Sequence, residues 1–164
     1  MKVGFIGVGF MGQHMAKHIL DGGHDLTIYD ISETAAKNLV KAGAKSVSSP
    51  SEVAAISEVI FTSLPTPQDV EQVVLGEGGI LAGALEGTTL FDLSTTDPET
   101  ITRISNSAAQ RGISVLDAPV SGGTIGAEQG TLCVMVGGNK NNYDRYKSVL
   151  DLIGNQVVYC GNLG

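Results

Sequence analysis

GFIGVGFMG, residues 4–12, decides the fold. A short apolar run over residues 2–6 leads straight into Gly7, Gly9 and Gly12, and Met11, Met15 and Ile19 then recur at helical spacing. Strand, tight turn and helix in that order give each glycine of a GxGxxG pattern its own task. Gly7 permits the turn, Gly9 has no Cβ to hold a diphosphate off the backbone, and Gly12 lets the helix pack close to the strand. Unpaired N–H groups at the helix start face the anion, and the helix dipole adds about 0.3–2 kcal/mol. The residues of the pattern expected at the ligand's turn are Gly7, Gly9 and Gly12.

The same glycines also suit a purely structural turn, so the next strand matters. LTIYD ends in Asp30, 18 residues beyond Gly12, where a carboxylate would accept from the hydroxyls of an adenosine ribose. A 2′-phosphate beside that carboxylate meets a like charge, at a cost of up to about 4 kcal/mol at intermediate dielectric. NAD is therefore expected in preference to NADP. Two other readings stay open: Asp30 as a turn cap ahead of Ser32, and a methyltransferase-type domain, which also carries early glycines and an acid after its second strand.

Further along, apolar β-rich runs recur at 25–29, 58–64, 88–93, 113–118, 132–136 and 156–160. Helical faces lie between them, among them Ile101, Ile104 and Ala108, then Tyr143, Tyr146, Leu150 and Ile153. Asp97 followed by Pro98 reads as an N-cap and first helical residue, and Gly22, Gly43, Gly112 and Gly154 as left-handed helix ends. VIFTSL and TLFDLS are apolar on both faces, as strands of a covered parallel sheet are. The expected architecture is an α/β, doubly wound, mostly parallel Rossmann-type sheet with helices on both faces, extended at one edge by the last two runs with one antiparallel member.

Composition agrees. The 164 residues suffice for one core, 42% are hydrophobic, and the net charge of −7 offers nothing to a nucleic acid or an anionic membrane. MKVGFIG contains no stretch long enough for a signal peptide or a span, and Cys133 and Cys160 lack metal-binding spacing, so buried free thiols and a cytoplasmic location are expected. His14 and His18 stand four apart without a third ligand, which favours solvated helix residues over a metal site.

Three later segments belong at the carboxyl edges of the strands, where ligands of such sheets lie. SLPTPQD, residues 63–69, gives a stiff turn. DLSTTDP, residues 92–98, supplies Ser94, Thr95 and Thr96, with Thr96 expected to cap a helix. DAPVSGGTIGAEQG, residues 117–130, reads as a flexible, nearly uncharged loop that suits either a structural turn or a substrate-binding segment.

Taken together, GFIGVGFMG, SLPTP, DLSTTDP and DAPVSGGTIGAEQGTL resemble, in order and spacing, the β-hydroxyacid dehydrogenases, the family of 3-hydroxyisobutyrate dehydrogenase and tartronate semialdehyde reductase. The resemblance spans essentially the whole chain. It implies an enzyme that moves a hydride between NAD(P) and a short 3-hydroxy acid or semialdehyde. Cofactor contacts would fall on Gly7, Val8, Gly9, Phe10, Met11 and Gly12 of the first turn, and on Asp30, Leu64, Pro65, Asp69 and Thr95. Substrate-carboxylate contacts would fall on Ser121, Gly122 and Gly123. The resemblance further implies that the family's catalytic lysine and an all-helical, oligomer-forming domain lie beyond Gly164. Residues 1–164 would then be a dinucleotide-binding domain, inactive alone and without a catalytic residue or metal of its own. A nucleotide-binding sensor or assembly module without chemistry is the second expectation.

Overall fold

The structure, a computed structural model, describes all residues from Met1 to Gly164. The chain alternates as the apolar runs predict: β1 (Lys2–Ile6), α1 (Gly12–Asp21), β2 (Asp25–Tyr29), α2 (Glu33–Lys41), β3 (Lys45–Ser46), α3 (Pro50–Ala55) and β4 (Val59–Thr62). Then come α4 (Pro67–Leu75), α5 (Ile80–Gly83), β5 (Thr89–Asp92), α6 (Pro98–Ala109) and β6 (Ser114–Asp117). The last part holds β7 (Val120–Ser121), α7 (Gly123–Gln129), β8 (Leu132–Gly137), α8 (Lys140–Ile153) and β9 (Gly154–Gly161).

The sheet runs β3-β2-β1-β4-β5-β6-β8-β7, with β9 on the other side of β8. β3 through β6 pair in parallel, so the chain crosses over between them through the helices. β8 runs antiparallel to β6 and β7, and β9 runs parallel to β8. Two strands at that edge are therefore reversed, where the sequence suggested one, because α8 returns the chain as a βαβ crossover.

Alternation of side chains divides the core into two layers. Val3, Phe5, Val59, Phe61, Phe91 and Leu116 face α1, α2 and α8; Phe5, Phe61 and Phe91 stack in a row with centroid spacings of 6.2 and 5.4 Å, and Tyr146 meets Phe91 edge-on at 6.0 Å. Ile6, Ile60, Leu90 and Val115 face α3, α4, α5 and α6. Asp97 caps α6 through its carboxylate, which accepts from the Thr100 N–H at 2.8 Å, and this bond holds the Asp97 carboxyl below its ordinary pKa.

Four expectations need correction. Gly22 and Gly154 are not left-handed: Gly23 takes the positive φ after α1, and Gly154 is extended because β9 begins there. Cys160 is exposed on the outer strand β9 and Cys133 is half-buried, so neither thiol is enclosed. His18 is half-buried, with its Nε2 at 3.1 and 3.0 Å from the Ala127 and Glu128 carbonyls. Both partners are acceptors, so Nε2 carries the proton and ties α1 to the end of α7.

His24, in the turn before β2, has its Nδ1 enclosed without a partner, and burial, assisted by the N-terminal charge, lowers its pKa. A lowered pKa means that the unfolded chain binds the proton more readily. Stability contributed by neutral His24 is present above pH ~6.5 and is lost as the pH falls through the folded value. In thermal melts between pH 5 and 7.5, His24→Gln is expected to flatten this acid-side decline. A variant profile parallel to the wild type assigns the decline to other groups.

Candidate functional site

Strand register places the site. Tyr29, Ile6, Thr62, Asp92 and Asp117 form one row across β2, β1, β4, β5 and β6 at the carboxyl edge of the sheet. The segments singled out by sequence leave from that row, so Gly7, Asp30, Leu64, Pro65, Thr95 and Ser121 all lie along one edge.

The glycine turn is held rigidly. Gly7 donates its N–H to the Tyr29 carbonyl at 2.9 Å and has φ +90, and a Cβ there would lie 2.3 Å from the Ser63 carbonyl oxygen. A Cβ on Gly12 would lie 1.9 Å from the Gly7 carbonyl oxygen. Gly9 differs, since a Cβ would meet nothing within 4 Å. Its open side is the space that a diphosphate needs. The N–H groups of Gly9, Phe10 and Met11 find no acceptor in the protein, and no side chain caps α1. Phe10 is 84% exposed at the tip of the turn.

Asp30 is bound into this turn. Its Oδ2 accepts from the Val8 N–H and its Oδ1 from the Ser32 N–H, each at 2.8 Å. The turn-cap role is therefore real, and it leaves each oxygen with a lone pair for a further donor. Val8 itself is buried. A crevice of about 440 Å³ opens here, walled by Gly7, Gly9, Asp30, Leu64, Pro65 and Asp69. A larger, open trough of about 1120 Å³ shares Asp30 and Ile31 but runs away from the glycine turn between α2 and β3, past Lys37, Lys41 and Lys45. The smaller crevice is the better candidate, because it alone is bordered by the turn with the unpaired amides.

Asp69 takes part in the cap of α4: Thr66 Oγ1 accepts from the Asp69 N–H at 3.1 Å and donates to Asp69 Oδ2 at 2.6 Å. Pro67 is the first residue of that helix. Leu64 donates its N–H to Ser94 Oγ at 2.9 Å, which joins the turn after β4 to the one after β5. Thr96 does not cap α6; its hydroxyl donates to Asp92 Oδ2 at 2.5 Å. Thr95 is exposed between Ser94 and Thr96. Sequence reasoning singled out the Ser94 hydroxyl at this strand end but passed over Asp92 and Thr62, which complete the network. The signal available was an aspartate closing an otherwise apolar strand.

Residues 117–130 are not a loop. Val120 and Ser121 pair with Val134 and Cys133 as β7, and α7 (Gly123–Gln129) follows, ended by the left-handed Gly130. Ser121, Gly122 and Gly123 are exposed, and Gly122 and Gly123 adopt φ +134 and +60. The opening turn of α7 leaves the N–H groups of Gly123 and Thr124 without intrahelical partners. Asp117 Oδ1 accepts from the Gly164 N–H at 3.0 Å.

Known proteins match this arrangement over nearly the full chain. The mitochondrial 3-hydroxyisobutyrate dehydrogenase of Bos taurus is 41% identical over 99% of this chain and 48% of its own length. The structure of Mycobacterium tuberculosis 3-hydroxyisobutyrate dehydrogenase with L-serine superposes with a TM-score of 0.92 at 32% identity, covering 98% of this chain and 54% of that one. A protein named Psf3, in complex with NADP+ and 2-OPP, superposes at 0.91 with 29% identity over 97% and 56%. The chain thus spans about half the length of the curated relatives it matches. No helix is long and apolar enough to cross a membrane. The family model described as the NAD binding domain of 6-phosphogluconate dehydrogenase matches residues 2–161, and the chain belongs to that family of NAD-binding domains.

Proposed function

We propose that this chain is the cofactor-binding part of an NAD-dependent oxidoreductase acting on a short 3-hydroxy acid or the corresponding semialdehyde. The observation that carries the reading is the glycine turn, whose unpaired amides border open space at Gly9 beside an anchored Asp30. Bound NAD supplies the hydride acceptor, or NADH the donor. The chain's own residues do the holding: the amides of residues 9–11 receive the diphosphate, Asp30 accepts from the adenosine ribose, and Leu64, Pro65, Asp69 and Thr95 border the remainder. Ser121 with Gly122 and Gly123 receives the substrate carboxylate at the β6 end of the same edge. Exposed N–H groups on glycine backbone suit an anion there, and no acidic side chain stands within residues 118–127 to repel it.

The family match removes the methyl-donor alternative, and the oxidoreductase names of the relatives favour hydride transfer over a sensing module for the longer protein. That protein would form homo-oligomers and would draw its proton-transferring lysine from outside residues 1–164.

The preference for NAD over NADP rests on Asp30. Like charge at the 2′ position disfavours NADP by up to about 4 kcal/mol, while Lys37, Lys41 and Lys45 in the adjoining trough offset part of it. These lysines are exposed and hydrated, so the nearer Asp30 wins, by roughly 10- to 100-fold in affinity. Calorimetric titration with NADH and NADPH checks this. Asp30→Ala is expected to bring the two within about threefold, and equal affinities in the unaltered protein would remove the specificity claim.

A further inference from the structure

Asp92, the last residue of β5, is 1% exposed and forms no ion pair. Three donors from three places converge on it. Oδ1 accepts from Thr62 Oγ1 at 2.8 Å and from the Ser94 N–H at 3.1 Å, and Oδ2 accepts from Thr96 Oγ1 at 2.5 Å. Ser94, 6% exposed, passes the connection on, because its Oγ accepts the Leu64 N–H at 2.9 Å.

A buried carboxylate without a cation is costly, and an apolar residue would hold two parallel strands together better. What a carboxylate offers here is two oxygens able to gather donors from β4 and from two points of the turn after β5. Thr95 stands between the two tethered residues of that turn and makes no side-chain hydrogen bond, so its hydroxyl is presented outward. Leu64, in the crevice wall, is fixed through Ser94. We propose that Asp92 is the positioning residue that sets the ligand-facing conformation of both turns, a role that rests on the dinucleotide reading above.

Calorimetry with NAD on folded protein, verified by circular dichroism at the titration temperature, tests this. Asp92→Ala is expected to weaken NAD binding about tenfold or more. Asp92→Asn keeps an acceptor for Thr62 and Ser94 and turns an N–H toward Thr96 Oγ1, so affinity is expected to recover to within about threefold of the original. A buried aspartate serving stability alone would lower the melting temperature and leave the affinity of the folded molecules unchanged, and that result overturns the proposal. If Asp92→Ala does not fold, Thr96→Val removes the hydroxyl that donates to Asp92 Oδ2, and Ser94→Ala removes the acceptor of the Leu64 N–H while leaving the Ser94 N–H on Asp92. Weakened NAD binding in both supports the role, and wild-type affinity in either overturns it. An unaltered protein that ignores NAD overturns the dinucleotide reading and this role with it; an unaltered protein that binds, beside a folded Asp92→Ala that binds equally well, overturns this role alone.

Discussion

Gly12→Ala is expected to destabilise the protein by about 3 kcal/mol or more, lowering the melting temperature by roughly 6–12 °C. Helix propensity alone argues the opposite, since alanine is better than glycine by about 1 kcal/mol. The contact decides the sign. The new Cβ would lie 1.9 Å from the Gly7 carbonyl oxygen and 3.1 Å from Phe5 Cε1. Gly7 cannot retreat, because its N–H is bonded to Tyr29 and its own Cβ position is 2.3 Å from the Ser63 carbonyl oxygen. Phe5 is fully buried in the aromatic row with Phe61. The helix must move away from β1, opening the layer formed by Met15, Ala16 and Ile19. A thermal melt within about 2 °C of the original would show that the helix and strand are not packed this closely.

Gly9→Val is expected to do the reverse: leave folding unchanged and remove dinucleotide binding. Gly9 is exposed and a Cβ there meets no atom within 4 Å, so stability should stay within about 0.5 kcal/mol. The branched side chain would fill the space in front of the unpaired amides of residues 9–11. A diphosphate kept off those donors loses several charge-assisted hydrogen bonds, and affinity for NAD is expected to fall at least about 100-fold, or ~2.7 kcal/mol. Calorimetry on a variant with an unaltered melting temperature separates the two effects. Binding at the original strength would place the diphosphate elsewhere. These two outcomes together would assign Gly12 to packing and Gly9, three positions earlier, to the ligand.

The parts of the fold that could be read from sequence are those specified locally. β1, the glycine turn and α1 follow one another within 21 residues, and the buried parallel strands announce themselves as apolar runs. β3 and β7 were missed because two residues carry no periodicity, and Lys45–Ser46 is polar and exposed. α7 was taken for a loop because GTIGAEQ has low helix propensity; it is held by buried Ala127 and by His18, which is 109 residues away in sequence. The site shows the same division. Asp30 was placed by its spacing from the glycines, but its bond to the Val8 N–H depends on two strands lying side by side. Asp92 was passed over because its partner Thr62, 30 residues earlier in sequence, reaches it only once β4 and β5 are in register. A sequence records which polar groups exist, and tertiary pairing decides which of them meet.

The central claim, that the amides at the start of α1 seat the diphosphate of NAD, is tested most directly by a ¹⁵N amide NMR titration with NAD. The account predicts saturable shifts that are largest at Gly9, Phe10 and Met11, with smaller ones at Asp30 and Leu64. An unmoved glycine turn at about 5 mM NAD, or saturable shifts confined to other parts of the sheet, would contradict it.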